Sequence, residues 1–246
     1  INEAVNEEWI SDKTRHVWDG LRTQRLDRPY IRRGGRLEPA TWGEAFGAIA
    51  EKVRAAKPDR IGAIAGDLAS VEEMFALKAL VASLGSANVD CRQDGTALDP
   101  ANGRGSYIFN PGIAGIGRAD AILIIGSNPR HEAPVLNARI RRRWRQGDLK
   151  VAVVGERVDL TYPYEYLGAG PATLGELASG GVGFGKVLAE AKRPLLIVGQ
   201  GALARADGAA ILGLAAKLAG GTRDEGWNGL AVLHTAASRV GGLDLG

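Results

Sequence analysis

Residues Ala121–Ile125 form an uninterrupted apolar run of five residues that stops at Gly126-Ser127-Asn128-Pro129. A run of that length, without alternation and bounded by breakers, predicts a strand buried on both faces. Gly126 supplies a turn conformation that other residues resist. Asn128 before Pro129 favours a turn over continued helix. Pro134 suits the first turn of a helix, and Leu136, Ile140 and Trp144 then recur as one apolar stripe. The predicted unit is strand, tight loop, helix. In doubly wound proteins such a loop holds anionic ligands, because the helix N-terminus presents unpaired N–H groups.

The same alternation repeats along the chain. Short apolar runs at Ile61–Ala65, Leu149–Val154 and Pro194–Val198 predict strands, with a further strand or edge at Asn88–Cys91. Helical periodicity covers Trp42–Ala56, Val71–Leu84, Val187–Ala189 and Ala204–Ala219, and Leu230–His234 opens another element. Thr41 and Glu44 are spaced as a capping box at the start of the first of these helices, whose apolar face is Phe46, Ile49 and Val53. Residues 30–37 read as two short strands around Gly34-Gly35. Residues 92–118 hold six glycines and two prolines and are predicted to be irregular, as are the loop-rich residues 155–185. The expected fold class is α/β, with doubly wound, mostly parallel sheets and flanking helices. The expected division is a lead-in with hairpin and helix at 1–58, a first α/β unit at 59–168 and a second at 169–246. The chain begins at Ile1 without a leader-like segment and ends in turn chemistry, so it reads as a piece of something longer.

Composition narrows the function classes. A hydrophobic content of 45% and a charged content of 24% are ordinary for a globular protein. Much of the net charge of +3 comes from Arg139–Arg145, which holds five arginines. Without interleaved aromatics this run predicts a solvated or interface-facing helix face, and no nucleic-acid partner. No apolar stretch approaches about 18 residues, so no direct membrane insertion is expected. The single cysteine, Cys91, rules out an internal disulfide and a four-cysteine cluster site within the chain.

Candidate chemistry is sparse. Gly199-Gln200-Gly201-Ala202-Leu203-Ala204 fits the dinucleotide fingerprint, with Asp224 and Glu225 downstream where a ribose-binding acid would sit. A tight strand-to-helix turn explains the same glycines. Gly180–Lys186 fits G-x-x-x-x-G-K but lacks the hydroxyl residue that would hold magnesium. His16, His131 and His234 have no ligand spacing, and Cys91 has no nearby histidine. There is no nucleophile elbow, and Glu72-Glu73 reads as solvated.

Taken in order, Trp42-Gly43-Glu44-Ala45, Gly85–Asp90, Ala119–Ile122 with Gly126–Pro129, and the strand at Leu149–Val154 resemble the molybdopterin oxidoreductase superfamily. A narrower resemblance rests on Asn6–Arg15, Arg25-Leu26, Asn128-Pro129-Arg130, Asn137–Arg141 and Val158–Tyr162. These are similar to the large iron–sulfur subunit of respiratory complex I, and the similarity runs across essentially the whole chain. It implies 2Fe–2S and 4Fe–4S clusters in a part of the parent chain upstream of this segment, and no cofactor within it. It also implies partners among the other hydrophilic-arm subunits. The place implied is the peripheral arm of complex I, on the cytoplasmic side of the bacterial inner membrane or the matrix side of the mitochondrial one.

In molybdenum-containing members, the loop matching Gly126, Ser127, Asn128 and Pro129 touches the guanine dinucleotide half of the pterin cofactor. The loop after Asn88-Val89-Asp90 supplies a metal ligand. Here that loop reads Cys91-Arg92-Gln93-Asp94-Gly95-Thr96, with Cys91 placed too early and Asp94 as the other plausible ligand. Gly155-Glu156-Arg157 stands where those members carry Asp-Pro-Arg. The departures imply a scaffold that supports electron transfer from NADH to quinone by cluster-bearing domains elsewhere. In that reading Gly126–Pro129 is a vestigial pterin-nucleotide loop, and the segment has neither catalytic residues nor a metal site. The alternative is a molybdopterin-guanine-dinucleotide-binding oxidoreductase domain.

Overall fold

Ala121–Ile125 is the central strand of a five-stranded parallel sheet. The computed structural model of the chain describes residues 2–179, 183–220 and 224–246. It divides into two units: one of Ile10–Ala65 with Glu72–Asp90, the other of the residues up to Trp9, Gly66–Val71 and Cys91–Gly246.

The smaller unit starts with α1 (Asp12–His16) and a hairpin of β1 (Tyr30–Arg33) and β2 (Arg36–Pro39). Gly34 and Gly35 turn that hairpin with φ of +54° and +85°. The helix α2 (Trp42–Ala55) has the expected capping box: the Glu44 N–H donates to Thr41 Oγ1 at 3.3 Å, and the Thr41 N–H donates to Glu44 Oε2 at 2.8 Å. Its expected apolar face is open rather than buried, with Phe46 and Ile49 61% and 57% exposed. Next come β3 (Ala63–Ile64), α3 (Val71–Ser83) and β4 (Val89–Asp90). The strand expected over Ile61–Ala65 shortens to two residues and is not buried, because β4 is its one ladder partner among the described residues.

The larger unit runs α4 (Gly112–Gly115), β5 (Ala121–Ile125), α5 (Pro129–Glu132), α6 (Pro134–Arg145), β6 (Lys150–Val154) and β7 (Glu165–Gly168). It continues through α7 (Pro171–Ala178), α8 (Phe184–Glu190), β8 (Pro194–Val198), α9 (Gln200–Leu203), α10 (Gly208–Ala219), β9 (Leu230–Val232) and α11 (Arg239–Asp244). The strand order is β7-β6-β5-β8-β9, and all neighbours are parallel. The chain therefore starts at the centre, winds outward through β6 and β7, and returns to the other side of β5 for β8 and β9. This is the α/β, parallel, helix-flanked architecture expected from the sequence. The expected break at 168–169 falls between β7 and α7, and strands on both sides of it join this one sheet.

Period-2 geometry sends alternate residues to opposite faces. Leu123, Ile125, Val154, Leu196 and Val198 face a core completed by Leu174, Phe184, Leu203, Ile211 and Ala215 from α7 to α10. Ile122, Ile124, Val153, Leu195 and Ile197 face a second core with Ile140 from α6, Leu160, Tyr162 and Trp227. Both β7 and α7 lie in the stretch expected to be loop. The β7 sequence, Glu-Tyr-Leu-Gly, has no apolar run, since an edge strand needs only one buried face. The helix expected over Ala204–Ala219 begins only at Gly208, as α10, because Arg205, Asp207 and Gly208 make a turn after the short α9, the Gly208 N–H donating to the Arg205 carbonyl at 2.9 Å.

Candidate functional site

The strands β6, β5 and β8 end in register, Val154 and Val198 both opposite Ile125, and each is followed by a glycine. The winding order across the sheet reverses between β5 and β8, so the carboxyl end of these strands is the topological switch point at which open α/β sheets hold ligands. Here the loops meet backbone to backbone. A Cβ added at Gly126, whose φ is +58°, would lie 2.5 Å from Ala202 Cβ. One at Gly199 would lie 2.4 Å from Ser127 Cβ, and one at Gly201 would lie 2.8 Å from the Gly126 carbonyl oxygen. The glycines of the fingerprint-like Gly199–Ala204 turn are thus used for packing against the Gly126-Ser127 loop. Asp224 does not join them. Its carboxylate accepts from Arg193 Nε at 2.5 Å, at the amino end of β8 and so on the opposite edge of the sheet. The structure does not assemble a dinucleotide site from these residues. In the G-x-x-x-x-G-K stretch, Gly180–Val182 lie outside the described residues.

A cleft of about 470 Å³ opens over the edge, lined by Gly126, Ser127, Asn128, Gly155, Glu156 and Arg205 among others. Asn128 occupies the N-cap position of α5 without a side-chain capping bond, and Pro129 begins the helix. Glu132, at the end of this short helix, folds back onto the loop. Its Oε1 accepts the Asn128 N–H at 2.6 Å, and its Oε2 accepts from Ser127 Oγ at 3.1 Å. The donors that an incoming anion would use are therefore engaged by a carboxylate of the chain itself. Glu156 adds a second negative group to the cleft wall, and Arg205 is paired with Asp207 at 2.7 Å. Asn128 Oδ1 is buried without a hydrogen-bond partner, an acceptor that a phosphate does not satisfy.

The loop in the metal-ligand position is likewise engaged. The Asp94 carboxylate accepts two hydrogen bonds from Arg239 Nη1, at 2.9 and 3.0 Å. Arg239 is 2% exposed, also reaches Thr96 Oγ1 at 3.3 Å, and lies 3.5 Å from Asp67. Burial pushes the Asp94 carboxyl up, but the Arg239 guanidinium and the Thr96 N–H outweigh it and hold it below the usual carboxylate range. Cys91 is half-buried and packs against the apolar core. Among the described residues, no three or more His, Cys, Asp or Glu gather as a metal site. The donor set does not fit the molybdenum–pterin group: its anion position is filled by Glu132, and its candidate carboxylate is neutralised by Arg239.

His234 donates from Nε2 to the Tyr107 carbonyl at 2.6 Å, and burial lowers its pKa. Neither Glu132 nor Arg239 stands out in the sequence. Glu132 follows Asn128 by four residues, one beyond the capping-box spacing. Arg239 carries no local signal.

A family model described as molybdopterin oxidoreductase matches residues 25–246. The chain belongs to the molybdopterin oxidoreductase family. A model of the "NADH-ubiquinone oxidoreductase NDSU1/NuoG-like, 4Fe-4S domain" matches residues 1–19. An NADH-quinone oxidoreductase subunit of Rickettsia conorii is 50% identical over 249 residues, covering 100% of this chain and 37% of that relative. The mitochondrial NADH-ubiquinone oxidoreductase 78 kDa subunit of Neurospora crassa is 45% identical over 255 residues, covering 100% of this chain and 34% of its own length. The chain thus spans about a third of the curated relatives it matches, and these relatives bear out the resemblance read from Asn6–Arg15 and Asn128–Arg130. A chain of the formyltransferase/hydrolase complex from Methylorubrum extorquens shares the fold of this molybdopterin oxidoreductase family member. Its TM-score is 0.57 and its identity 23%, over 83% of this chain and 60% of that one. Among the described residues, no helix is long and apolar enough to cross a membrane.

Proposed function

We propose that this chain is the scaffold part of the iron–sulfur subunit of an NADH:quinone oxidoreductase. In this reading Gly126–Pro129 is a vestigial pterin-nucleotide loop, closed by Glu132. The 2Fe–2S and 4Fe–4S clusters belong to an upstream part of the parent chain. The partners are the other hydrophilic-arm subunits, at the cytoplasmic face of a bacterial inner membrane or the matrix face of a mitochondrial one.

One observation carries the reading. Residues 4–7, within the stretch that matches the 4Fe–4S domain model, are held on the sheet-bearing unit by a buried arginine. Arg139 of α6 is 8% exposed and pairs with Glu7. It also donates to the carbonyls of Ala4 at 3.1 Å and Asn6 at 2.9 Å. A planar guanidinium satisfied by one carboxylate and backbone carbonyls fixes direction as well as position. Such a clamp supports a neighbouring redox domain at constant geometry without chemistry of its own.

The test is elemental analysis of the purified full-length chain, with mass spectrometry of the small molecules it releases. Iron without molybdenum, tungsten or pterin is the expected result. Either of those metals near one per chain, together with a pterin, overturns the scaffold reading in favour of a molybdopterin-guanine-dinucleotide-binding oxidoreductase domain.

A further inference from the structure

The arginines of α6 divide by task. Arg139 is the clamp on residues 3–7. Arg143 turns inward and donates to the carbonyls of Ala119 at 3.0 Å and Gly147 at 2.7 Å. Arg142 shares the Glu7 carboxylate at 3.4 Å. Arg141 and Arg145 are exposed, and neither has a carboxylate partner among the described residues. They are four residues apart and so lie on one helix face, about 5–6 Å from each other, where like charges destabilise a helix. Arginine near a helix C-terminus complements the dipole and accounts for a cation at Arg145. It does not account for a second uncompensated cation a turn earlier.

Beside them the surface is concave. A groove of about 590 Å³ is lined by Arg141, Arg142 and Arg145 together with Val135, Ala138 and Trp9. The Trp9 side chain is 71% exposed there. The groove therefore combines cations, an aliphatic floor and an aromatic wall. Its charge is matched by what already rests against one end: Glu7, an acidic side chain of an acidic segment, Asn2-Glu3-Ala4-Val5-Asn6-Glu7-Glu8.

We propose that this groove docks an acidic segment of a partner protein, with two carboxylates one helical turn apart on Arg141 and Arg145 and an apolar side chain against Trp9, Val135 and Ala138. The apolar floor gives a side chain, but no phosphate, a place to bury. Arginine and tryptophan together are the residue types that dominate such protein interfaces.

The test is fluorescence anisotropy on the full-length chain, with a labelled peptide of glutamates around a central leucine as the probe. Arg141→Glu with Arg145→Glu is expected to weaken binding at least about tenfold. Raising salt from about 50 to about 500 mM is expected to do the same. Trp9→Ala weakens binding severalfold with an unchanged salt slope, and Lys217→Glu on α10 has no effect. If the double reversal does not fold, Arg141→Gln with Arg145→Gln reports the same loss. Full binding by either folded double variant, or no binding of the peptide to the parent chain, overturns the proposal. So does tighter binding of a single-stranded oligonucleotide, or of vesicles rich in phosphatidylglycerol, that is lost in the same variants.

Discussion

Replacing Gly126 by alanine tests whether the switch point is a packed junction or an open cradle. The added Cβ would stand 2.5 Å from Ala202 Cβ and 2.7 Å from the Ala202 amide nitrogen, so relief requires backbone movement. The φ of +58° adds the left-handed penalty, about 1 kcal/mol for a non-glycine residue. Overpacking at such a site costs about 1–3 kcal/mol. The sum is a loss of about 2–4 kcal/mol, and a central value of about 3 kcal/mol lowers the Tm of a chain this size by roughly 6–12 °C. Gly213→Ala is the matched comparison. It lies in the same unit, within α10, and nothing is within 4 Å of its added Cβ. There alanine gains about 0.5–1 kcal/mol through helix propensity. The assay is hydrogen exchange of the Ile122–Ile125 amides across a denaturant series, which reports the opening of the sheet itself. If Gly126→Ala stays within about 0.5 kcal/mol of the parent chain, or matches Gly213→Ala, the junction is not close-packed and the argument fails.

Arg239→Met leaves the Asp94 carboxylate without its cation and is expected to cost about 2–3 kcal/mol, below the fully buried case because Asp94 keeps some solvent contact. Adding Asp94→Asn should restore at least about 1 kcal/mol in urea denaturation, and strict additivity would show that the pair is not coupled. Burial depresses the His234 pKa. The unfolded chain, with its histidine pKa near 6.5, therefore takes up the proton first as pH falls. The stability His234 contributes is complete above about pH 6.5 and declines below it toward the folded value. His234→Gln, which keeps a donor for the Tyr107 carbonyl, should flatten that slope. An unchanged slope between about pH 7 and pH 5 would remove His234 as its source.

The frame of the fold is legible in local sequence because it follows from short-range rules. Uninterrupted apolar runs mark β5, β6 and β8, since a strand buried on both faces has no polar face to alternate with. Thr41 and Glu44 announce α2 through a contact three residues long. The same rules miss β7 and α7, where one-sided burial leaves a mixed, polar sequence. They overstate β3, whose apolar residues have too short a partner strand to be covered. The order of motifs around Gly126–Pro129 is also local, and it was enough to point to the family.

The state of the site is not local. Arg139 and Glu7 are separated by 132 positions, and Arg239 and Asp94 by 145. A charged residue chooses its partner by what the folded chain brings within a few ångströms, and no spacing rule reaches that far. Glycine spacing at Gly199–Ala204 suggested a nucleotide, yet the opposing Gly126-Ser127 backbone uses the same absence of Cβ atoms for contact. By itself the sequence determined the buried strands β5, β6 and β8, the helix α2 and where the anion-type loop lies. Tertiary structure alone decided that Arg239 neutralises Asp94 and that α6 grips the leading segment. Local backbone preference is a property of neighbouring residues, whereas charge compensation belongs to the assembled sheet.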